Sequence, residues 1–135
     1  MLAAAMLFAI SIVALAQFAV YYWRAILSGA AAKPVAPEIL QSACVTDGQL
    51  SAKHFPALAE LHDLTPDLHP SSGGLGMVRA YYGALQTLGK TLGSAFPACA
   101  AWADREGVVC AHYAAVQIDR RLQANLALVA SLRSC

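Results

Sequence analysis

The chain has 135 residues with nine basic and eight acidic side chains, so its formal net charge is +1. This balance excludes a basic nucleic-acid-binding face and an acidic tail, and we expect no nucleic-acid partner. About a hundred residues follow an apolar N-terminal segment, which is enough for one small domain.

The first 23 residues contain no charged side chain. As a helix they would be about 35 Å long, enough to cross a hydrocarbon core of about 30 Å. The segment ends in Tyr21, Tyr22 and Trp23, and Arg24 follows at once. Aromatic rings favour the lipid–water boundary, and arginine can extend into the headgroups. The sequence therefore predicts a transmembrane anchor over residues 1–32, with those four side chains at the membrane interface.

A secretory signal peptide is the main alternative for this segment. It would have a basic start, a shorter apolar core and a small-residue cleavage site. The sequence Ala30-Ala31-Ala32 resembles such a site, but no lysine or arginine precedes the apolar run. A lipoprotein signal is excluded because Cys44 lies too far beyond the run. A pilin-type leader would need a basic start and an early acidic residue. We therefore expect a retained anchor.

The remainder begins with a Pro-rich link over residues 33–37, because each proline disfavours helix in the residue before it. Abundant alanine and the lack of alternating apolar and polar runs favour helix over strand. The sequence therefore predicts a small all-α domain over residues 38–135. Its predicted helices cover 38–44, 55–64, 75–92, a short stretch around 96–102 that ends before Gly107, and 108–133, with a loop at 65–74.

Three glycines, Gly83, Gly89 and Gly93, fall in or beside the helix predicted at 75–92. Each costs about 1 kcal/mol of helix propensity relative to alanine. Gly89 and Gly93 are four residues apart and share a helix face. This spacing predicts close backbone packing against a neighbouring helix.

Four cysteines, Cys44, Cys99, Cys110 and Cys135, follow the apolar segment. An even number in a small domain beyond an anchor favours disulfides, and hence a disulfide-stapled domain, over buried free thiols. Cys110 and Cys135 would stand about 37 Å apart on the last helix, too far to pair. We expect Cys99 to pair with Cys110 across a helical hairpin, and Cys44 with Cys135. The crossed pairing, Cys44 with Cys110 and Cys99 with Cys135, stays open.

Two sequence features disagree about which side of the membrane holds the domain. Arg24 and Lys33 follow the apolar segment, and the positive-inside rule would place them in the cytoplasm. The cysteines indicate an oxidising compartment instead. Two positive charges are a weak bias, and the Ala-rich composition suggests a bacterium. We expect a single-pass protein of the bacterial inner membrane with a periplasmic domain.

Histidines and aspartates between residues 54 and 69 are the candidate metal ligands. Imidazole and carboxylate groups suit Zn²⁺ or a similar ion, but these residues match no recognised ligand spacing. Ordinary solvated side chains are therefore the favoured interpretation, and no cofactor is expected. The candidates are His54, His62, His69, Asp63 and Asp67.

The sequence carries no motif of a hydrolase, a zinc protease, a thioredoxin or a c-type cytochrome. We therefore expect a non-catalytic accessory subunit of a larger membrane assembly, such as a respiratory or photosynthetic complex. Its partners would be other integral membrane subunits, contacted through residues 1–30 and the helical domain, and homo-oligomers are possible. The alternatives are a filament or pilus-like subunit with the apolar helix as its core, and a membrane-tethered metal or ligand carrier.

Overall fold

A computed structural model describes residues 1–42, 49–68 and 75–134. Every regular element in these ranges is helical, which confirms the all-α prediction. The α-helices are α1 (Leu2–Ala31), α2 (Pro37–Ser42), α3 (Phe55–Leu64), α4 (Gly76–Leu92) and α5 (Pro97–Arg133), with a 3-10 turn at Ala52–His54 before α3.

Helix α1 is long and apolar enough to cross a membrane. Its first 21 residues, 2–22, are exposed along their whole length. Among the described residues, the helix joins the domain at its C-terminal end, where Trp23 packs against the core and Leu27 is fully buried. The last turns of α1 therefore pack against the domain, and the predicted link follows them, between Ala31 and the start of α2 at Pro37.

Helices α3 and α4 occupy the segments predicted for them. Pro56 lies in the first turn of α3, where its missing N–H leaves no intrahelical bond unmade. Leu58 of α3 and Val78 and Leu85 of α4 are buried, so the apolar stripes found in the sequence are the faces that form the core. The predicted 38–44 helix is confirmed as Pro37–Ser42, and its last two positions lie outside the described residues.

Helix α5 is continuous over 37 residues and about 55 Å long. The prediction of a short helix ending before Gly107 and a second helix from residue 108 is therefore wrong. Gly107 lies within this helix, and a Cβ atom there would come within 2.6 Å of the Cβ of Ala52. The close approach of the 3-10 turn therefore requires glycine at this position, and a helix end does not.

Because α5 is continuous, the predicted disulfide between Cys99 and Cys110 is excluded. Both residues lie on α5, eleven positions and hence about 16 Å apart along its axis, whereas a disulfide needs Cα atoms within about 7 Å. Both are free thiols. The expected hairpin between them does not exist. Cys44 and Cys135 lie outside the described residues, and the crossed pairing would need Cys99 and Cys110, which are free.

Helix α5 forms the centre of the domain and packs against α1, α2, α3, α4 and the 3-10 turn. Its buried face is made of small side chains, since Cys110, Ala111, Ala114 and Ala115 are fully buried. Small residues let the backbones of the surrounding helices approach α5 closely. Larger buried side chains come from those neighbours, such as Leu27, Leu58 and Leu85, and from Ile118 of α5 itself.

Helix α4 runs antiparallel to α5. A Cβ atom placed on Gly89 would lie 3.5 Å from the Cβ of Ala103, and one on Gly93 would lie 3.1 Å from that of Ala100. The two glycines therefore form the predicted packing face. The turn joining α4 to α5 lies just beyond it.

Helix α1 runs in the same direction as α5 along their contact. Arg24 contacts Glu106, whereas Gly29, further along α1, lines a small pocket with Gln117, further along α5. From this contact, the N-terminal part of α5 extends toward the side on which the exposed part of α1 lies. The C-terminal part of α5 extends the opposite way.

The C-terminal third of α5 leaves the domain and exposes apolar side chains. Asn125 donates a hydrogen bond to the Pro66 carbonyl, but the side chains around it are largely uncovered. We call residues 122–133 the α5 tail. Its exposed large apolar residues are Leu122, Leu126, Leu128, Val129 and Leu132.

Candidate functional site

A buried carboxylate connects α1 to the domain. Glu106 lies in the middle of α5 and its side chain is only 3% exposed. Arg24 of α1 places its Nε 3.0 Å from Glu106 Oε1, and Tyr81 of α4 donates its hydroxyl to Oε2 at 3.4 Å. Three helices thus meet at one negative charge, because a buried carboxylate needs charged or hydrogen-bonding partners.

The surroundings of Glu106 also perturb Tyr81. Burial, followed by the nearby Glu106 charge, raises the pKa of the Tyr81 hydroxyl to about 12. The phenol therefore stays protonated and remains a hydrogen-bond donor to the carboxylate at neutral pH. Together with Arg24, it fixes the direction in which α1 leaves the domain.

The four predicted membrane-interface residues divide into two pairs. Tyr21 and Tyr22 are exposed, at 75% and 61%. Trp23 instead turns toward the domain and contacts Tyr81 edge to face, with ring centroids 6.4 Å apart. Arg24 forms the ion pair with Glu106 while keeping its side chain 62% exposed. The boundary between exposed apolar helix and packed domain therefore lies between Tyr22 and Trp23.

His54, the first of the candidate metal ligands, has a local structural role. Its Nδ1 accepts a hydrogen bond of 3.0 Å from the backbone N–H of Ser51. This bond closes the 3-10 turn that precedes α3. The imidazole thereby satisfies a backbone donor at the start of a helical segment, as capping side chains do.

His62 and Asp63 lie at the C-terminal end of α3. His62 is buried, and neither of its ring nitrogens has a hydrogen-bond partner among the described residues. Its Nδ1 lies 3.7 Å from Asp63 Oδ1. Burial, followed by the positive charge of Arg121, lowers the His62 pKa. Asp63 accepts a 2.6 Å hydrogen bond from Arg79 of α4, which lowers the Asp63 pKa.

Arg121 of α5 organises the chain that leaves α3. It donates to the carbonyl of His62 at 3.0 Å and to Asp67 Oδ2 at 3.2 Å. Asp63 and Asp67 are thus each paired with an arginine, and His69 lies outside the described residues. Among residues 1–42, 49–68 and 75–134, no group of three potential ligands is close enough to hold a metal ion.

His112 faces a shallow pocket of about 370 Å³ between α5 and the chain around α2. Val35, Leu40 and Leu50 provide its apolar walls. Within the part of the chain that the structure describes, the buried Nδ1 of His112 has no hydrogen-bond partner, and burial lowers the pKa of the ring. A neutral imidazole in an open apolar pocket is suited to packing.

Sequence reasoning missed Glu106. One indication was available, because Glu106 lies four residues before Cys110 on the face of α5 that also carries Ala103. An acidic residue on the apolar face of a helix requires a partner. The sequence alone did not identify that partner as Arg24.

No protein-family model, no curated protein and no solved structure matches this chain.

Proposed function

We propose that the chain is a single-span, non-catalytic subunit that anchors its helical domain to a larger membrane protein complex. The observation that carries this proposal is the uncovered apolar surface of α1, combined with the packing of its C-terminal end against the domain. Residues 2–22 are exposed, and 21 helical residues extend about 31 Å. That length equals the hydrocarbon thickness of a bilayer, about 30 Å.

Protein partners within the membrane are supported by a polar group on α1. Gln17 lies in a shallow groove between Val13 and Val20 on the exposed part of the helix. An amide in hydrocarbon is better accommodated against a neighbouring helix, where it can form a hydrogen bond, than against lipid. This groove is the proposed contact with another integral membrane subunit.

The α5 tail supports a second partner contact, outside the membrane. It extends from the domain away from the exposed part of α1, so the lipid around α1 would not cover it. Between Leu122 and Leu132 it contains no charged residue. Contiguous exposed apolar surface of this kind is typical of protein–protein contacts.

We propose that the protein lies in the inner membrane of a bacterium with its domain in the periplasm. Glu60, exposed on α3, offers a site to test this orientation. In Glu60→Cys, a membrane-impermeant maleimide should label intact cells more strongly than it labels the parent chain. Labelling above the parent level only after lysis would place the domain in the cytoplasm.

The subunit proposal is tested by mild detergent extraction of native membranes, followed by sizing and mass spectrometry. Co-purification of other subunits at fixed stoichiometry is the expected result. Leu126→Gln with Val129→Gln should reduce that co-purification, whereas the surface control Glu60→Gln should not. A lone monomer from native membranes would contradict the proposal.

A filament subunit is the second candidate, because the exposed apolar surface of α1 would also fit copies of itself. It predicts that the same extraction yields a homopolymer held together through residues 1–30. The metal-carrier alternative has less support, since Asp63 and Asp67 are each engaged by an arginine.

A further inference from the structure

The turn between α4 and α5 forms an apolar tip on the domain. We define the hairpin tip as residues 88–102, which include the end of α4, the turn and the first residues of α5. Leu88, Leu92 and Phe96 are exposed there, and Trp102 is half-buried. Lys90 is the only charged residue in this range. The domain therefore has an uncovered apolar surface separate from α1 and the α5 tail.

The direction of the helices places this tip beside the exposed part of α1. Because α1 and α5 run in the same direction from the Arg24–Glu106 contact, residues before Glu106 extend toward the side on which residues 2–22 lie. Phe96 precedes Glu106 by ten residues, which is about 15 Å along the helix axis. If residues 2–22 fill the hydrocarbon, the Arg24–Glu106 contact lies beside the polar region of one leaflet, which is about 5–7 Å thick. The distance from Glu106 to Phe96 exceeds this thickness, so the tip can reach the polar region even where α5 diverges from α1.

The composition of the tip fits a phospholipid surface better than water. Phenylalanine, leucine and tryptophan side chains favour the boundary between headgroups and hydrocarbon. The lone charge, Lys90, is basic and can interact with lipid phosphates. No acidic residue lies between Asp67 and Asp104 to repel an anionic leaflet.

We propose that the hairpin tip is a second membrane contact, which inserts Leu92 and Phe96 among the headgroups of a phospholipid bilayer next to α1. This inference rests on the proposed membrane span of α1. The domain would then sit directly on the bilayer, held at two points. Its orientation relative to the membrane would be fixed, and the α5 tail would point away from the lipid.

Site-specific photo-crosslinking to lipid tests this contact in the full chain. Benzoylphenylalanine is placed at one position at a time, and the purified chain is reconstituted in vesicles of phosphatidylcholine and phosphatidylglycerol with a labelled phospholipid. Phe96→benzoylphenylalanine is the test variant. Leu126→benzoylphenylalanine is the matched control, since Leu126 is similarly exposed but lies on the tail. Val13→benzoylphenylalanine reports the span itself, and circular dichroism confirms that each variant is folded.

The proposal predicts several-fold more lipid adduct at position 96 than at position 126, and strong adduct at position 13. If position 96 gives no more adduct than position 126 while position 13 is strongly labelled, the tip does not contact lipid and the span stands. If position 13 is unlabelled, the proposed membrane span fails, and the tip contact fails with it.

Discussion

Arg24 Nε lies 3.0 Å from Glu106 Oε1, and this ion pair joins the helix proposed to cross the membrane to the centre of the domain. Glu106 is buried while Arg24 is largely exposed. The carboxylate therefore needs the ion pair to offset its desolvation more than the arginine does. Removing a partner from a buried charged group leaves its desolvation uncompensated.

Arg24→Ala should therefore lower the free energy of unfolding by about 1–3 kcal/mol. Denaturant unfolding of the full chain in a mild detergent, followed by circular dichroism, provides the measurement. In a Glu106→Gln background, Arg24→Ala should lower the free energy of unfolding by a smaller amount, because the buried charge is gone. Equal losses in the two backgrounds would show that the pair contributes nothing.

The contact of Gly107 with Ala52 gives a test with a natural control. Gly107→Ala should destabilise the chain by about 1–3 kcal/mol through overpacking, despite the higher helix propensity of alanine. Gly83→Ala should instead stabilise it by about 0.5–1 kcal/mol, because no atom of the described residues lies within 4 Å of a Cβ there. Ala52→Gly should restore part of the stability lost in Gly107→Ala. Equal effects of the two alanine substitutions would exclude a steric role for position 107.

Acid should weaken the fold through His62. Burial and the charge of Arg121 lower the pKa of this histidine from its ordinary value of 6.5, so the folded chain resists a proton that the unfolded chain accepts. The contribution of neutral His62 to the free energy of unfolding is therefore complete above pH 6.5, and it is lost as the pH falls through the lowered pKa of the folded chain.

The variant His62→Leu should reduce the slope of the unfolding free energy between about pH 7.5 and about pH 5. His112→Leu should reduce it further, because burial lowers the His112 pKa with the same sign. An unchanged slope in the double variant would assign the acid dependence to other groups.

The two described cysteines should differ in reactivity. Cys110 is fully buried, and burial followed by the Glu106 charge raises the pKa of its thiol to about 12, so little thiolate is present at neutral pH. Cys99 is half-buried. A maleimide should modify Cys99 in the folded chain and Cys110 only after unfolding, as read by peptide mass spectrometry. Cys99→Ser should leave Cys110 unreactive, whereas a new reaction there would indicate that the two are disulfide-bonded.

Local sequence features predicted the elements that local chemistry determines. Pro56 and the leucine spacing gave the bounds of α3, and the apolar stripe of α4 gave its buried face. The helix end predicted at Gly107 was wrong because the sequence does not distinguish a glycine required by close packing from one required by a helix end. The burial of Glu106 depends on Arg24 in a helix distant in sequence, and only the three-dimensional arrangement brings them together.

Whether α1 crosses a bilayer is tested most directly by alkaline carbonate extraction of native membranes. The chain should stay in the membrane pellet, because an exposed helical segment of 21 residues, apolar except at a few positions such as Gln17, holds it there without electrostatic help. Ile12→Arg with Val13→Arg, at the centre of residues 2–22, should shift it toward the soluble fraction, since each charge costs about 2.5–3.5 kcal/mol in the hydrocarbon. Release of the unaltered chain at alkaline pH would contradict the membrane anchor and the function built on it.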